Sequence, residues 1–201
     1  MNFSTEQSRS FFGPLVGKTT TFLLEGRGPN LEFARTTLGL IAATGSNCAI
    51  LDLDALYASN ADYVLSSLGK GAHTSVLKVP SPGLPVEDDL SELFSSHQDV
   101  IIVDSLNSLY HLLAAEDGSS RGRKTTFTLA GLSYFARTNS KAVLLSMYRR
   151  EGLPKTGSAR PISGLSDVTA SVQSDGEALV VRTIRGSAWP GGFLSIRIPS
   201  V

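Results

Sequence analysis

Continuous apolar runs alternate along the chain with segments whose apolar positions recur at helical spacing. The runs predict strands at 19–24, 48–54, 75–79, 99–104 and 141–147, and the first of them is rich in β-branched residues. The segments between them predict helices at 31–41, 62–68, 86–96 and 124–136. The run 99–104 is continuously apolar between its two terminal Asp residues, which indicates a strand covered on both faces, as is typical of a parallel sheet. The alternation therefore predicts an α/β fold.

The pattern changes after residue 165. Two alternating segments, 168–174 and 178–184, flank Asp175-Gly176 and predict a hairpin with a type I′ turn, and 194–198 predicts one more strand. The expected architecture is a mostly parallel sheet flanked by helices, with an antiparallel C-terminal hairpin extension. At 201 residues the chain is expected to form a single domain spanning 1–201, with 1–11 as an N-terminal tail.

The first strand leads into a degenerate phosphate-binding loop. A working loop reads G-x-x-x-x-G-K-S/T, so that amides and a Lys hold the phosphates and a hydroxyl holds Mg²⁺. Gly26 and Gly28 are present, but Leu31 replaces the second motif glycine, Glu32 replaces the Lys and Phe33 replaces the hydroxyl residue. A carboxylate repels a triphosphate, so we predict a pseudo-ATPase with no cofactor.

A second glycine-rich segment, Gly13-Pro14-Leu15-Val16-Gly17-Lys18-Thr19, is a decoy for the same motif. It has three residues between its glycines instead of four, and it precedes the first strand. No helix N-terminus follows it to favour an anion. We interpret it as a turn that leads into the strand.

Composition indicates a globular protein in a reducing compartment. Hydrophobic residues make up 41% of the chain, and no apolar run is long enough to cross a membrane. The N-terminus lacks a signal pattern, and the single Cys48 excludes an intramolecular disulfide. The three His are far apart, so no metal site is expected. We expect a cytoplasmic protein with no membrane partner.

The net charge of zero conceals an asymmetry. Residues 1–116 carry 6 Lys/Arg and 13 Asp/Glu, whereas residues 117–201 carry 12 Lys/Arg and 5 Asp/Glu. Such a split is compatible with a surface that faces a polyanion, with head-to-tail association of unlike faces, or with ordinary solvated charge.

Three segments resemble the ATPase core of the RecA/RadA recombinase family, in particular its archaeal RadA branch. Residues 101–106 look like the Walker B strand with its following Ser, and 160–164 look like the end of the second DNA-binding loop. Residues 49–57 look like the strand that ends in the catalytic Glu of active members. The likeness extends from about Phe12 to Ile198.

The resemblance implies a damaged catalytic centre. Glu32 falls at the Walker A lysine position, Asp54 at the catalytic Glu position and Tyr148 at the position of the γ-phosphate-sensing Gln. Only Asp104 is retained in kind, and without its P-loop partners it is interpreted as a strand-end Asp that accepts hydrogen bonds from loop amides.

The resemblance also assigns two candidate DNA loops, 116–124 and 149–160. Both combine Gly and Ser with cations, as a site that follows a single-stranded backbone requires. The alternative is two solvated loops with ordinary surface charge. Seven cations are the candidate DNA-binding residues: Arg121, Arg123, Lys124, Arg149, Arg150, Lys155 and Arg160.

The predicted function is that of a non-catalytic RadA-like paralogue, an accessory in DNA recombination and repair that binds single-stranded DNA, a RadA-type recombinase, or both. Two alternatives stay open: a structural subunit of a homo- or hetero-oligomer with no nucleic-acid role, and a regulator that binds ATP without hydrolysing it. The tail 1–11 is too short for the family's full oligomerisation linker, and Phe11 and Phe12 are interpreted as core residues.

Overall fold

The computed structural model describes residues 3–25, 28–65, 74–78, 86–95, 97–115, 121–149 and 165–199. The helices are α1 (Thr5–Phe12), α2 (Gly28–Thr44), α3 (Leu56–Ser59), α4 (Ala61–Leu65), α5 (Val86–Ser95), α6 (Leu106–Ala115) and α7 (Arg121–Asn139). The strands are β1 (Lys18–Glu25), β2 (Cys48–Asp52), β3 (Thr74–Lys78), β4 (Val100–Asp104), β5 (Ala142–Arg149), β6 (Val168–Ser174), β7 (Ala178–Arg185) and β8 (Phe193–Arg197). Within these ranges, no helix is both long and apolar enough to span a membrane.

The described strands form one sheet in the order β3-β2-β4-β5-β1-β6-β7-β8. Along this order, each pair of neighbouring strands from β3 through β6 is parallel. The pairs β6–β7 and β7–β8 are antiparallel. The predicted fold class, a mostly parallel α/β sheet with an antiparallel C-terminal extension, is confirmed. Because the carboxyl ends of parallel strands lie at one edge of a sheet, polar residues that follow β1, β2, β4 and β5 are brought together there.

Helices cover the sheet on both faces, which explains the continuous apolar strands. On one face, side chains such as Phe22, Ile102 and Leu144 share a core with α1 and α2. On the other face, Val103 and Leu145 share a core with α5, α6 and α7. Successive strand residues therefore alternate between two separate cores.

The predicted N-terminal tail contains a helix. The Ser4 side chain accepts a hydrogen bond from the Gln7 amide at 3.1 Å, and the Gln7 side chain accepts one from the Ser4 amide at 2.9 Å. This capping box starts α1. The helix packs on α2, and Phe11 and Phe12 are buried, so their interpretation as core residues is confirmed.

The hairpin is confirmed, but its predicted type I′ turn is wrong. A type I′ turn needs positive φ at both central residues. Ser174 pairs with Leu179, and the Asp175 amide donates to the Ala178 carbonyl at 3.3 Å, so the central residues are Gly176 and Glu177. Only Gly176 has positive φ, at 89°, which is the pattern of a type II′ turn.

Candidate functional site

The connection from β1 to α2 is shorter than a phosphate-binding loop. Helix α2 begins at Gly28, three residues before the predicted start. Pro29 is tolerated because the first turn of a helix does not need its missing N–H group. Leu31 therefore lies in the helix instead of an open loop. Gly26 and Arg27 lie outside the described residues.

Glu32 and Phe33 are both engaged within the protein. The Glu32 carboxylate accepts a hydrogen bond from the hydroxyl of Ser174, at the end of β6. Phe33 is buried, and its ring lies 4.8 Å from that of Phe22, measured between centroids. Glu32, which the resemblance places at the Walker A lysine position, thus links α2 to β6, and Phe33 is part of the core.

Asp104, the last residue of β4, is buried beneath two hydroxyl groups. Its Oδ1 accepts hydrogen bonds from Ser146 and Tyr148, which lie on the neighbouring strand β5. Burial raises the pKa of Asp104 to about 6, although both hydrogen bonds oppose the increase. The nearby Asp54 and Asp52 carboxylates raise this pKa further.

Asp52 lies directly beside Asp104, as its register partner on β2. It is fully buried, and its Oδ2 accepts a hydrogen bond from the Ala58 amide at 2.8 Å. Burial is the main cause of its raised pKa. One oxygen of each carboxylate, Oδ1 of Asp52 and Oδ2 of Asp104, has no hydrogen-bond partner among the described groups. A buried, unpaired oxygen carries a desolvation cost that protonation reduces.

Asp54 lies just beyond the end of β2 and is held against the start of α6. Its carboxylate accepts hydrogen bonds from Ser105 Oγ at 2.5 Å and from Ser108 Oγ. The amides of Leu53 and Asp54 both donate to the Asp104 carbonyl, at 2.5 and 3.2 Å. The predicted strand 48–54 therefore ends earlier, at Asp52, and the chain turns so that the Asp54 carboxylate reaches two serine hydroxyls at the start of α6.

Two tyrosine hydroxyls complete the acidic cluster, which comprises Asp52, Asp54, Asp104, Tyr57 and Tyr148. Burial raises the pKa of both tyrosines, and the Asp104 charge raises it further, so both hydroxyls remain protonated donors. The Tyr148 amide donates to Asn107 Oδ1 at 2.8 Å, which ties β5 to α6.

This cluster is suited to internal hydrogen bonding. Among the residues that the structure describes, no group of three His, Cys, Asp or Glu could hold a metal ion. The hydrogen bonds to these carboxylates come from the Ala58 amide and from the hydroxyls of Ser105, Ser108, Ser146 and Tyr148. Hydroxyl and amide groups are therefore the donors that stabilise these carboxylates.

The predicted site residues are brought together only in part. Asp54, Asp104 and Tyr148 meet in the acidic cluster, whereas Glu32 contacts Ser174. The sequence analysis did not assign several residues of this region to the site, namely Asp52, Tyr57, Ser108, Ser146 and Ser174. Asp52 and Ser146 could have been found, because both are polar residues within apolar strands of a parallel sheet.

The candidate DNA-binding residues are described only in part. Arg121, Arg123 and Lys124 lie in the first turn of α7, and Arg123 is exposed. Arg149 is the last residue of β5. Arg150, Lys155 and Arg160 lie outside the described residues, so a joint site remains a prediction.

Comparison with solved structures identifies the fold. The chain is similar to the crystal structure of the RadB recombinase, with a TM-score of 0.61 and 17% sequence identity over 95% of this chain and 94% of that one. No protein-family model matches the sequence, and no curated protein does. The chain therefore has the RecA-like α/β fold of the recombinase, with very little of its sequence.

Proposed function

We propose that this chain is a non-catalytic RecA-like protein that assists DNA recombination or repair by binding single-stranded DNA, a RadA-type recombinase, or both. The fold is shared with a recombinase over nearly the whole chain. Function depends on the site and not on the fold alone. The proposal therefore rests on the contacts of Asp104 and Glu32 and on the distribution of Lys and Arg along the chain.

The hydrogen bond from Tyr148 to Asp104 is the observation that carries the non-catalytic assignment. Metal-assisted phosphoryl transfer needs a carboxylate that is open to a Mg²⁺ ion bridging the phosphates. Here Asp104 is buried, and the hydroxyls of Tyr148 and Ser146 both donate hydrogen bonds to its Oδ1. Asp104 thus acts as a hydrogen-bond acceptor within the protein and not as a ligand for a nucleotide-bound metal ion.

Glu32 supports the same assignment. A carboxylate at the first turns of α2 lies where the phosphates of a nucleotide would approach the helix N-terminus. The Ser174 hydroxyl holds this carboxylate in place. A triphosphate would meet a fixed negative charge instead of a mobile lysine. These substitutions remove attraction for phosphate and add repulsion.

Positive charge supports the nucleic-acid role. The segment 118–150 carries seven Lys/Arg and no Asp/Glu. Arg123 is exposed at the start of α7, and Arg149 ends β5 at the edge of the sheet where the acidic cluster lies. A single strand neutralised by cations of this kind would bind without sequence preference and with a steep dependence on salt. A cytoplasmic location is part of the proposal.

Fluorescence anisotropy with a labelled oligothymidylate, measured from 50 to 400 mM salt, tests the DNA-binding role. If all seven candidate DNA-binding residues named in the sequence analysis contact phosphate, the slope of log K against log salt should be near about −5, because each single-strand phosphate contact contributes about −0.7. Replacing Arg149, Arg150 and Arg160 by Ala should weaken binding and flatten the slope by about 2.

The matched control removes three exposed arginines elsewhere, at Arg9, Arg182 and Arg197. It changes the net charge equally and should leave the slope close to that of the wild type. Equal effects from the two triple variants would indicate diffuse attraction without a site. Absence of strand binding by the wild type, with recombinase binding also absent, would favour a purely structural subunit.

A further inference from the structure

The outer face of α7 presents two unusually exposed aromatic side chains. Phe127 is 82% exposed and Tyr134 is 72% exposed. They are seven residues apart, which is two helical turns, so they lie on the same face about 10 Å apart along the axis. The opposite face of the helix is buried through Leu129, Leu132 and Ala136. The two rings therefore project away from the domain.

Small residues separate these rings. Ala130 is exposed and Gly131 is partly exposed, and they occupy the turn between the two aromatic positions. Neither Ala130 nor Gly131 has a large side chain. The two rings thus lie as separate aromatic platforms two helical turns apart.

The charged residues of α7 itself are all positive. Helix α7 carries Arg121, Arg123, Lys124 and Arg137 and contains no Asp or Glu. Arg123 precedes Phe127 by four residues, so it shares the exposed face with that ring. At the other end, Arg137 binds Asp167, and its side chain remains 65% exposed.

We propose that Arg123, Phe127 and Tyr134, here called the α7 stripe, form a base-stacking site for single-stranded nucleic acid. Phe127 and Tyr134 would stack on bases, and Arg123 would contact a phosphate. Exposed aromatics interleaved with cations are the combination that binds single strands without sequence preference. This inference rests on the proposed function and supplies the stacking groups that the two candidate loops lack.

The positive charge selects this occupant over a protein partner. A single strand presents an anionic backbone and apolar base faces together, which matches a helix that offers cations and isolated rings. A second copy of the chain would need a large complementary surface, whereas two separated rings bury little area. The ligand class is therefore single-stranded DNA or RNA.

The test compares the affinity of wild type and of the variant Phe127→Ala/Tyr134→Ala for the labelled oligothymidylate. Each ring that stacks on a base should contribute about 5- to 150-fold in affinity, so the double variant should bind at least about 25-fold more weakly. The salt slope should stay unchanged because no cation is removed, whereas Arg123→Ala should reduce it by about 0.7. The double variant Phe127→Trp/Tyr134→Trp should retain binding.

Two controls isolate stacking. Phe193, another exposed phenylalanine at 58%, lies on β8, and Phe193→Ala should bind like the wild type. An abasic strand of equal length keeps the phosphates and removes the bases. Wild type should lose affinity for this strand down to the level of the double variant, and the double variant should show no further loss.

The outcomes separate the inference from the proposed function. Wild type that binds intact strand, with the double variant within about twofold of it, would overturn the α7 stripe alone. An equal loss on intact and abasic strands would also overturn it, because stacking requires bases. Wild type that shows no salt-dependent strand binding would overturn the stripe and the DNA-binding role together.

Discussion

Replacing Asp104 by Asn should make the stability of this protein less dependent on pH. Burial raises the pKa of Asp104 in the folded protein to about 6 from an ordinary value of 3.8. The folded state therefore binds the proton more tightly than the unfolded state, and stability falls as pH rises from about 4 to 6. Asn keeps an oxygen acceptor for Ser146 and Tyr148 but carries no charge.

The magnitude follows from the two pKa values. At 1.36 kcal/mol per pH unit, ionised Asp104 costs the folded state about 3 kcal/mol at neutral pH. About 2 kcal/mol of this cost develops between pH 4.5 and pH 8. The stability of the Asn variant relative to wild type should therefore rise by about 2 kcal/mol across that range. Asp52, with its own raised pKa, leaves a residual slope of the same sign in the variant.

Urea unfolding at a series of pH values measures this difference. Asp88 is exposed on α5, so Asp88→Asn serves as the control and should track the wild type. Asp88→Asn removes the same charge, so it controls for a general effect of net charge, and constant ionic strength keeps screening equal at every pH. If wild type and the Asp104 variant differed by the same amount at every pH, burial of an ionised Asp104 would be refuted.

Two further predictions concern stability. Phe33→Thr, which would place a hydroxyl at the predicted P-loop position, should lower the free energy of unfolding by about 3 kcal/mol because it removes a buried ring that contacts Phe22. Urea unfolding measures this loss, and a loss below about 1 kcal/mol would contradict the packing. Gly186→Ala should destabilise the protein more than Gly176→Ala. Both glycines have positive φ, but only at Gly186 would a Cβ collide with the Asp167 carbonyl oxygen. Equal decreases in Tm for the two variants would contradict that contact.

The sheet could be predicted because its strands are continuous apolar runs between punctuating loops. Helix α1 was missed because its apolar residues, Phe11 and Phe12, come only in its last turn, while its capping box uses polar residues that also suit a tail. The early start of α2 was missed because Pro29 was treated as a loop residue, although the first turn of a helix accepts proline.

The candidate site could be predicted less completely. Asp104 and Tyr148 follow the strand-end rule for parallel sheets, so their proximity was accessible from the sequence. The contact of Glu32 with Ser174 joins residues 142 positions apart, and no local pattern encodes it. The exposure of Phe127 depends on which face of α7 packs against the sheet, and the pattern of apolar residues in this helix does not determine that face.

Calorimetric titration with Mg-ATP, followed by a phosphate-release assay on the same sample, tests most directly whether this chain has lost nucleotide chemistry. The hydroxyls that cap Asp104 and the fixed carboxylate of Glu32 lead us to expect no saturable heat and no phosphate release above the buffer rate. Saturable binding that disappears in Asp104→Ala, or release of phosphate by the wild type, would contradict that expectation.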